Sequence, residues 1–328
     1  SLNINKVCED DTNVIASGAS FEAYNEYNNG TLSDSISALS DNGNGVYSLN
    51  DIYLGIVTRD GSEVIRRTVY VKETAPATCF FNGSEWVNWT FLPNNNIYKI
   101  ELCYSRSENE LTYVVTKIAE DGSETEVISE GFVGYLDNSY APVTIPEFSV
   151  TNTRKADVRT ILLSSSTGTH IAPSSSSITL VDTVMLNYLV VGETYRVSGS
   201  LVDAASGEDI GVSGETTFVA TSSSMSVEVT FNNVSTTVAN RNLVCFETLY
   251  DSSDNILGTH NDRNSLDQTI SIPDIHTQFY DRALGVDSDI VTNGTVELVD
   301  TVYCENILPG TYTLTSVIMD KVTFVKKK

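Results

Sequence analysis

Positive charge is scarce in this 328-residue chain: 19 Lys and Arg stand against 43 Asp and Glu, for a formal net charge of −24. That balance excludes nucleic acid and anionic membrane as partners, because phosphate binding needs the opposite sign. Long Leu/Ala/Glu/Lys runs of the kind that build helices are missing. No signal peptide, transmembrane segment or sorting motif is present, so membrane insertion is not expected. The chain opens on Ser1 instead of Met, as expected of a piece of something longer, which makes a missing export signal uninformative. There is no DxDxDG loop and no glycine-aspartate nonapeptide repeat, so the acidic residues give no calcium signature; neither a metal nor a cofactor is expected. The cysteines, Cys8, Cys79, Cys103, Cys245 and Cys304, are odd in number, widely spaced and free of CxxC. Cys8, Cys245 and Cys304 lie in apolar strand-like runs and read as small buried hydrophobes. Cys79 with Cys103 is the one pair that offers a disulfide.

What the chain does have is Ser, Thr, Asn, Val and Tyr, with 41 % hydrophobic residues, enough for packed cores in two or three domains. This is the composition of an all-β, extracellular protein. One internal echo organises it. Leu180-Val181-Asp182-Thr183-Val184 returns as Leu298-Val299-Asp300-Thr301-Val302. Each copy leads into a tyrosine-headed alternation ending in an aspartate: Tyr195, Val197, Gly199, Leu201, Asp203, then Tyr312, Leu314, Ser316, Ile318, Asp320. Upstream, Val158-Arg159-Thr160 corresponds to Ile275-His276-Thr277. Period-two alternation predicts half-buried strands, and a repeat of this length predicts tandem modules.

The first 154 residues carry strand patterns at Leu2–Val7, Ala16–Tyr24, Val69–Pro76, Ile97–Leu102, Leu111–Val115 and Phe148–Asn152. Lys6 sits inside the first run, followed by Gly18-Ala19-Ser20-Phe21 up to Tyr24. Glu73-Thr74-Ala75-Pro76 stands in the middle, and Val150-Thr151-Asn152 closes the region. In their order these residues resemble the "xKxD…GAxFxLY", "ExxAPxGY" and "VxN" motifs of Cna-B type, prealbumin-like modules of Gram-positive surface proteins and pilins. The Gly-Tyr of the middle motif is absent, and residues about 80–140 read as an insertion. The resemblance implies a self-made isopeptide bond from Lys6 to Asn152, assisted by Glu73. A lysine in an apolar core loses its charge and becomes nucleophilic, while a buried carboxyl stays protonated and can polarise the amide and shuttle protons.

Residues about 155–272 resemble a T-Q ester-bond domain, also called a VaFE repeat, of clostridial and other Gram-positive adhesins. The carrying residues are Asp182-Thr183-Val184, Val244-Cys245-Phe246-Glu247, His260-Asn261-Asp262 and Asp267-Gln268-Thr269, with Val191-Gly192-Glu193-Thr194-Tyr195 for the usual "PGxxY". The resemblance implies an ester from the Thr183 hydroxyl to the Gln268 carboxamide, with loss of ammonia. His260 is the expected base, and Glu247 and Asp203 are the matched acids, their two roles left unapportioned. Such an ester survives only away from water.

Residues 273–328 read as the truncated start of a second such repeat. Thr301 is matched there to Thr183 and Asp320 to Asp203, and Thr301 is expected to be unbonded; Thr277-Gln278 reads as a coincidental dipeptide. The architecture expected is all-β: tandem prealbumin-like or Ig-like β-sandwich modules in an elongated array, divided at 1–154, 155–272 and 273–328. The function expected is a structural stalk segment of a wall-anchored adhesin or pilus-like protein, chemically active only once, on itself, with neighbouring repeats of the same chain as contacts. Two other readings compete. One is a module that binds host glycan or a host surface protein through Phe80, Phe81, Trp86, Trp89, Phe91 and Tyr98. The other is a turnover hydrolase using Thr183, His260 and Asp203 or Glu247, which needs an open cleft.

Overall fold

The computed structural model describes residues 1–28, 30–50, 52, 54, 64–119, 121–135, 144–286 and 295–319. Asp320, at the end of the second copy's alternation, lies outside the described residues. Every regular element among the described residues is a strand.

The first unit runs β1 (Leu2–Cys8), β2 (Ala16–Ser17), β3 (Ser20–Asn28), β4 (Thr31–Ala38), β5 (Ser40–Asp41), β6 (Val46–Leu49), β7 (Val64–Ala75), β8 (Cys79–Phe81), β9 (Trp86–Asn88), β10 (Ile97–Ser105), β11 (Glu110–Ile118), β12 (Glu124–Tyr135) and β13 (Ile145–Asn152). One sheet has the order β13-β1-β6-β5, and a larger one β12-β11-β10-β7-β3-β4. Leu2, Ile4, Tyr47, Leu49, Phe148 and Val150 project from the first into Phe21, Val71, Ile100, Leu102 and Val115 of the second. This makes a sandwich of inward-facing alternate residues. A small sheet, β2-β8-β9, adds Ala16 and Phe80 to the same core. The stretch expected as an insertion is therefore not an appendage: β10, β11 and β12 continue the large sheet outward from β7. The ends of the unit meet in the four-stranded sheet. β1 and β13 pair in parallel, with Lys6 opposite Val150 and Cys8 opposite Asn152.

The second unit runs β14 (Asp157–Ser164), β15 (Ile178–Asn187), β16 (Thr194–Asp203), β17 (Asp209–Val219), β18 (Ser224–Val234), β19 (Arg241–Asp251), β20 (Ile256–His260) and β21 (Thr269–Ile272). Its sheets are β14-β15-β18 and β17-β16-β19-β20, with β21 also pairing β19. Between them lies a core that includes Leu162, Leu180, Val184, Phe231, Val197, Leu201, Cys245 and Ile270.

The connection between the units is clad on both sides. Leu92 N–H donates to the Thr153 carbonyl, Lys155 N–H to Thr90, Trp89 Nε1 to Lys155, and Ala156 N–H to Leu257. Arg154 is buried in an ion pair with Asp10, its guanidinium 4.5 Å from the Phe80 ring centre and 4.0 Å from that of Tyr188. Trp89 meets Tyr188 edge-on at 5.2 Å. Of the aromatics considered for ligand stacking, Phe80, Phe91 and Tyr98 are buried and Trp89 is committed to this junction, while Trp86 is exposed.

After the second unit, β22 (Asp274–Asp281) pairs with β23 (Leu298–Glu305). The strand expected over Tyr312–Ile318 is not formed, and its apolar side chains are exposed. In the first copy the corresponding strand, β16, is held between β17 and β19; no such neighbours flank Tyr312–Ile318 among the described residues. All five cysteines are free, so Cys79 and Cys103 form no disulfide. Cys8 and Cys245 are buried as expected, but Cys304 is exposed: among the described residues no further strand pairs with β22–β23.

Candidate functional site

Two clusters of reactive side chains are buried, one in each unit. In the first, Lys6 shares the inward face of β1 with Leu2 and Ile4 and is 0 % exposed. Its ammonium lies 2.7 Å from Glu73 Oε1 and donates to the Thr151 carbonyl at 2.9 Å. Burial lowers the Lys6 pKa to about 8, with Glu73 opposing the shift. Asn152, 1 % exposed, comes from the neighbouring strand β13. Its Nδ2 donates to Glu73 Oε2 at 2.8 Å and to the Leu92 carbonyl at 3.1 Å, and its Oδ1 accepts from Ala77 N–H at 2.9 Å. Glu73 thus touches both the amine and the carboxamide. The structure brings together all three residues expected here.

It adds groups that motif reading missed. Asn94 N–H donates to Glu73 Oε2 at 2.8 Å, and its side chain holds Tyr98 Oη and the Thr151 carbonyl, each at 2.9 Å. Leu92 and Ala77 act through backbone groups on loops, where no residue type advertises the role, and Asn94 acts through both its backbone N–H and its side chain.

In the second unit, Gln268 and Glu247 are each 0 % exposed. Gln268 Nε2 donates to the His260 carbonyl at 2.7 Å, the Cys245 carbonyl at 2.8 Å and Glu247 Oε2 at 3.3 Å. Glu247 lies opposite His260 of β20 on one side and Gly199 of β16 on the other. A Cβ at Gly199 would sit 3.1 Å from Glu247 Oε1 and 2.7 Å from Phe231, so only glycine leaves the carboxyl its room. Burial raises the Glu247 pKa to about 10, reinforced by Asp182, so the group is a neutral acid at pH 7.

Two expected members of this cluster are elsewhere. Thr183 pairs with Ile161 and Glu228 on the half-exposed face of β15, whereas Asp182 points inward with Leu180, Val184 and Leu186. Strand alternation forbids neighbours from sharing a face. The threonine on the inward side is Thr160 of β14, opposite Val184, buried, with Oγ1 3.5 Å from His260 Nδ1. Asp203 is also displaced: it accepts from the N–H groups of Ala205 and Ser206 and pairs with Arg241 at 2.6 Å, which lowers its pKa. The buried acid facing Glu247 is Asp182. Burial raises its pKa, offset in part by Glu247, Cys245, His260 and Thr160.

The same register recurs downstream. Thr277 faces Val302 and Asp300 faces Phe279, as Thr160 faces Val184 and Asp182 faces Leu162. Thr277 thus occupies the place of Thr160; Thr301, like Thr183, falls on the alternate phase.

What the fold and the two clusters define is a chain of β-modules, each with a nucleophile, a carboxamide and a carboxyl sealed inside. Residues 156–272 and 273–328, more than half of the chain, match the family of T-Q ester bond containing domains, and the chain belongs to that family. Among solved structures it is similar to a bacterial adhesin from Mobiluncus mulieris containing intramolecular disulfide, isopeptide and ester bond cross-links. The identity is 15 %, over 44 % of this chain and 76 % of that one, with a TM-score of 0.33. It is also similar to the full-length major pilin SpaD from Corynebacterium diphtheriae, at 9 % identity over 93 % of this chain and 79 % of that one, with a TM-score of 0.30. No curated protein matches the chain.

Proposed function

We propose that this chain is a structural segment of a cell-surface adhesin or pilus-like protein, made durable by two self-formed bonds: an isopeptide from Lys6 to Asn152 and an ester from Thr160 to Gln268. The observation that carries the reading is the burial, in each unit, of a nucleophile and of a carboxamide bonded to a buried carboxyl, Glu73 in the first and Glu247 in the second. In the first unit, Glu73 takes a proton from the Lys6 ammonium, and the freed amine attacks Asn152 Cγ. Ala77 N–H supports the charge developing on Oδ1. Glu73 returns the proton to Nδ2, which leaves as ammonia, and then takes the second proton that the Lys6 nitrogen sheds as the amide forms.

In the second unit His260 accepts the Thr160 proton as the oxygen attacks Gln268 Cδ, and Glu247, the neutral acid beside Nε2, supplies the proton with which ammonia departs. Membership of the T-Q ester bond family supports this half of the reading. A turnover hydrolase is disfavoured by the burial of Asp182, Glu247 and Gln268, which leaves a substrate no approach. Intact-protein mass spectrometry tests the proposal: the chain should be lighter than its sequence by two ammonia masses. A mass equal to that of the sequence overturns it.

A further inference from the structure

The junction between the units also encloses a cleft that neither proposed bond uses. Its volume is about 430 Å³, and its lining includes Asn13, Ile15, Phe81, Asn82, Arg154 and Tyr188. Phe81 is half-buried, and the exposed Trp86 leans on it with ring centres 5.6 Å apart. Tyr188 holds its backbone at φ +69°, a left-handed conformation that a bulky residue keeps only where its surroundings impose it. The two exposed amides are fixed in opposite senses. Asn82 Oδ1 accepts from Ser84 N–H and Glu85 N–H, each at 2.9 Å, which leaves its Nδ2 to donate. Asn13 Nδ2 donates to Asp11 Oδ1 at 3.1 Å, which leaves its Oδ1 to accept.

We propose that this cleft binds a short neutral oligosaccharide, with one sugar face against Phe81 and sugar hydroxyls on Asn13 and Asn82. A hydroxyl both donates and accepts, so a fixed donor and a fixed acceptor in one cleft match it. The C–H face of a pyranose carries slight positive charge and is attracted to the negative face of an aromatic ring. Charge selects against acidic sugars: Arg154 is already paired with Asp10, and the whole chain carries a net −24. An apolar small molecule fits less well, because such ligands need most of their surface enclosed, whereas Asn13, Ile15 and Asn82 stand exposed here. The site lies outside both buried clusters, so it rests on neither the isopeptide nor the ester.

The test applies the whole chain to an array of neutral, sialylated and sulfated oligosaccharides. The best-retained neutral glycan is then titrated while the fluorescence of Trp86 and Trp89 is followed. Saturable binding of neutral glycans is expected, with the charged ones bound more weakly. Asn82→Asp keeps the oxygen that the Ser84 and Glu85 N–H groups need and removes the donor. Phe81→Leu keeps apolar bulk and removes the ring. Each should weaken binding by about tenfold or more, the scale of one lost hydrogen bond or ring contact, while intact mass and Tm stay at the wild-type values. Preference for sialylated or sulfated glycans, retention of no neutral glycan, or unchanged affinity in either variant overturns the proposal.

Discussion

Replacing Thr160 and Thr183 one at a time separates two neighbouring threonine assignments by mass alone. The wild-type chain should lose two ammonia masses and Thr160→Ala only one, because the hydroxyl 3.5 Å from His260 is gone. Thr183→Ala should still lose two, since that side chain lies on the other face of β15. Stability should follow. The Thr160–Gln268 tie closes a loop of roughly 100 residues, and a disulfide closing such a loop stabilises by about 4.7 kcal/mol through the unfolded state. Thr160→Ala should therefore lose about that much in urea-unfolding free energy. Thr183→Ala, a half-exposed strand substitution, should change it by less than about 1 kcal/mol. Thr160→Ser keeps the hydroxyl and should restore the second ammonia loss. The reasoning is refuted if Thr160→Ala still loses two ammonia masses, or if Thr183→Ala loses only one.

Three further outcomes are expected. In Asn152→Ala, Lys6 stays a free amine with a folded pKa of about 8 against an ordinary 10.5. Between those values the unfolded chain holds the extra proton, so stability should rise with pH, by roughly 3 kcal/mol in all at about 1.36 kcal/mol per unit; a flat difference from Lys6→Met/Asn152→Ala in urea titrations contradicts it. Asn94→Ala removes four side-chain hydrogen bonds, each worth about 1 kcal/mol, two to Tyr98 and the Thr151 carbonyl and two from Asn96, that fix the loop whose Asn94 N–H reaches Glu73. Mass spectra soon after refolding should show isopeptide formation lagging behind wild type, and an unchanged time course argues against a positioning role. Gly199→Ala forces a Cβ into Phe231 and toward Glu247; overpacking of about 1–3 kcal/mol should lower Tm and leave the ester incomplete, and full ester formation at unchanged Tm would disprove the steric account.

Motif order was enough to read Lys6, Glu73 and Asn152, because each lies on a strand whose alternation points it inward. It was not enough for the second unit. Leu180-Val181-Asp182-Thr183-Val184-Met185-Leu186 is apolar on both phases, so period two alone does not say whether Asp182 or Thr183 faces the core. The deciding signal was one strand earlier: in Val158-Arg159-Thr160-Ile161-Leu162 the exposed Arg159 sets the phase and turns Thr160 inward. Asp203 was misplaced for another reason. It continues the inward phase of Leu201 but stands at the end of β16, where a carboxylate finds turn N–H groups and Arg241 more readily than a core. The all-β class followed from composition. That β10–β12 widen the large sheet did not, because strand pairing is a long-range choice.

The junction built on Arg154 carries a consequence of its own. Short links between modules ordinarily let each one swivel. Here the guanidinium is anchored by Asp10 and lies against Phe80 and Tyr188, and the backbone on either side is bonded to both units. Twisting one unit about the chain against the other would have to break that ion pair and part those rings together. The pair should therefore transmit torque, resisting rotation as well as stretching, which single-chain links alone do not do.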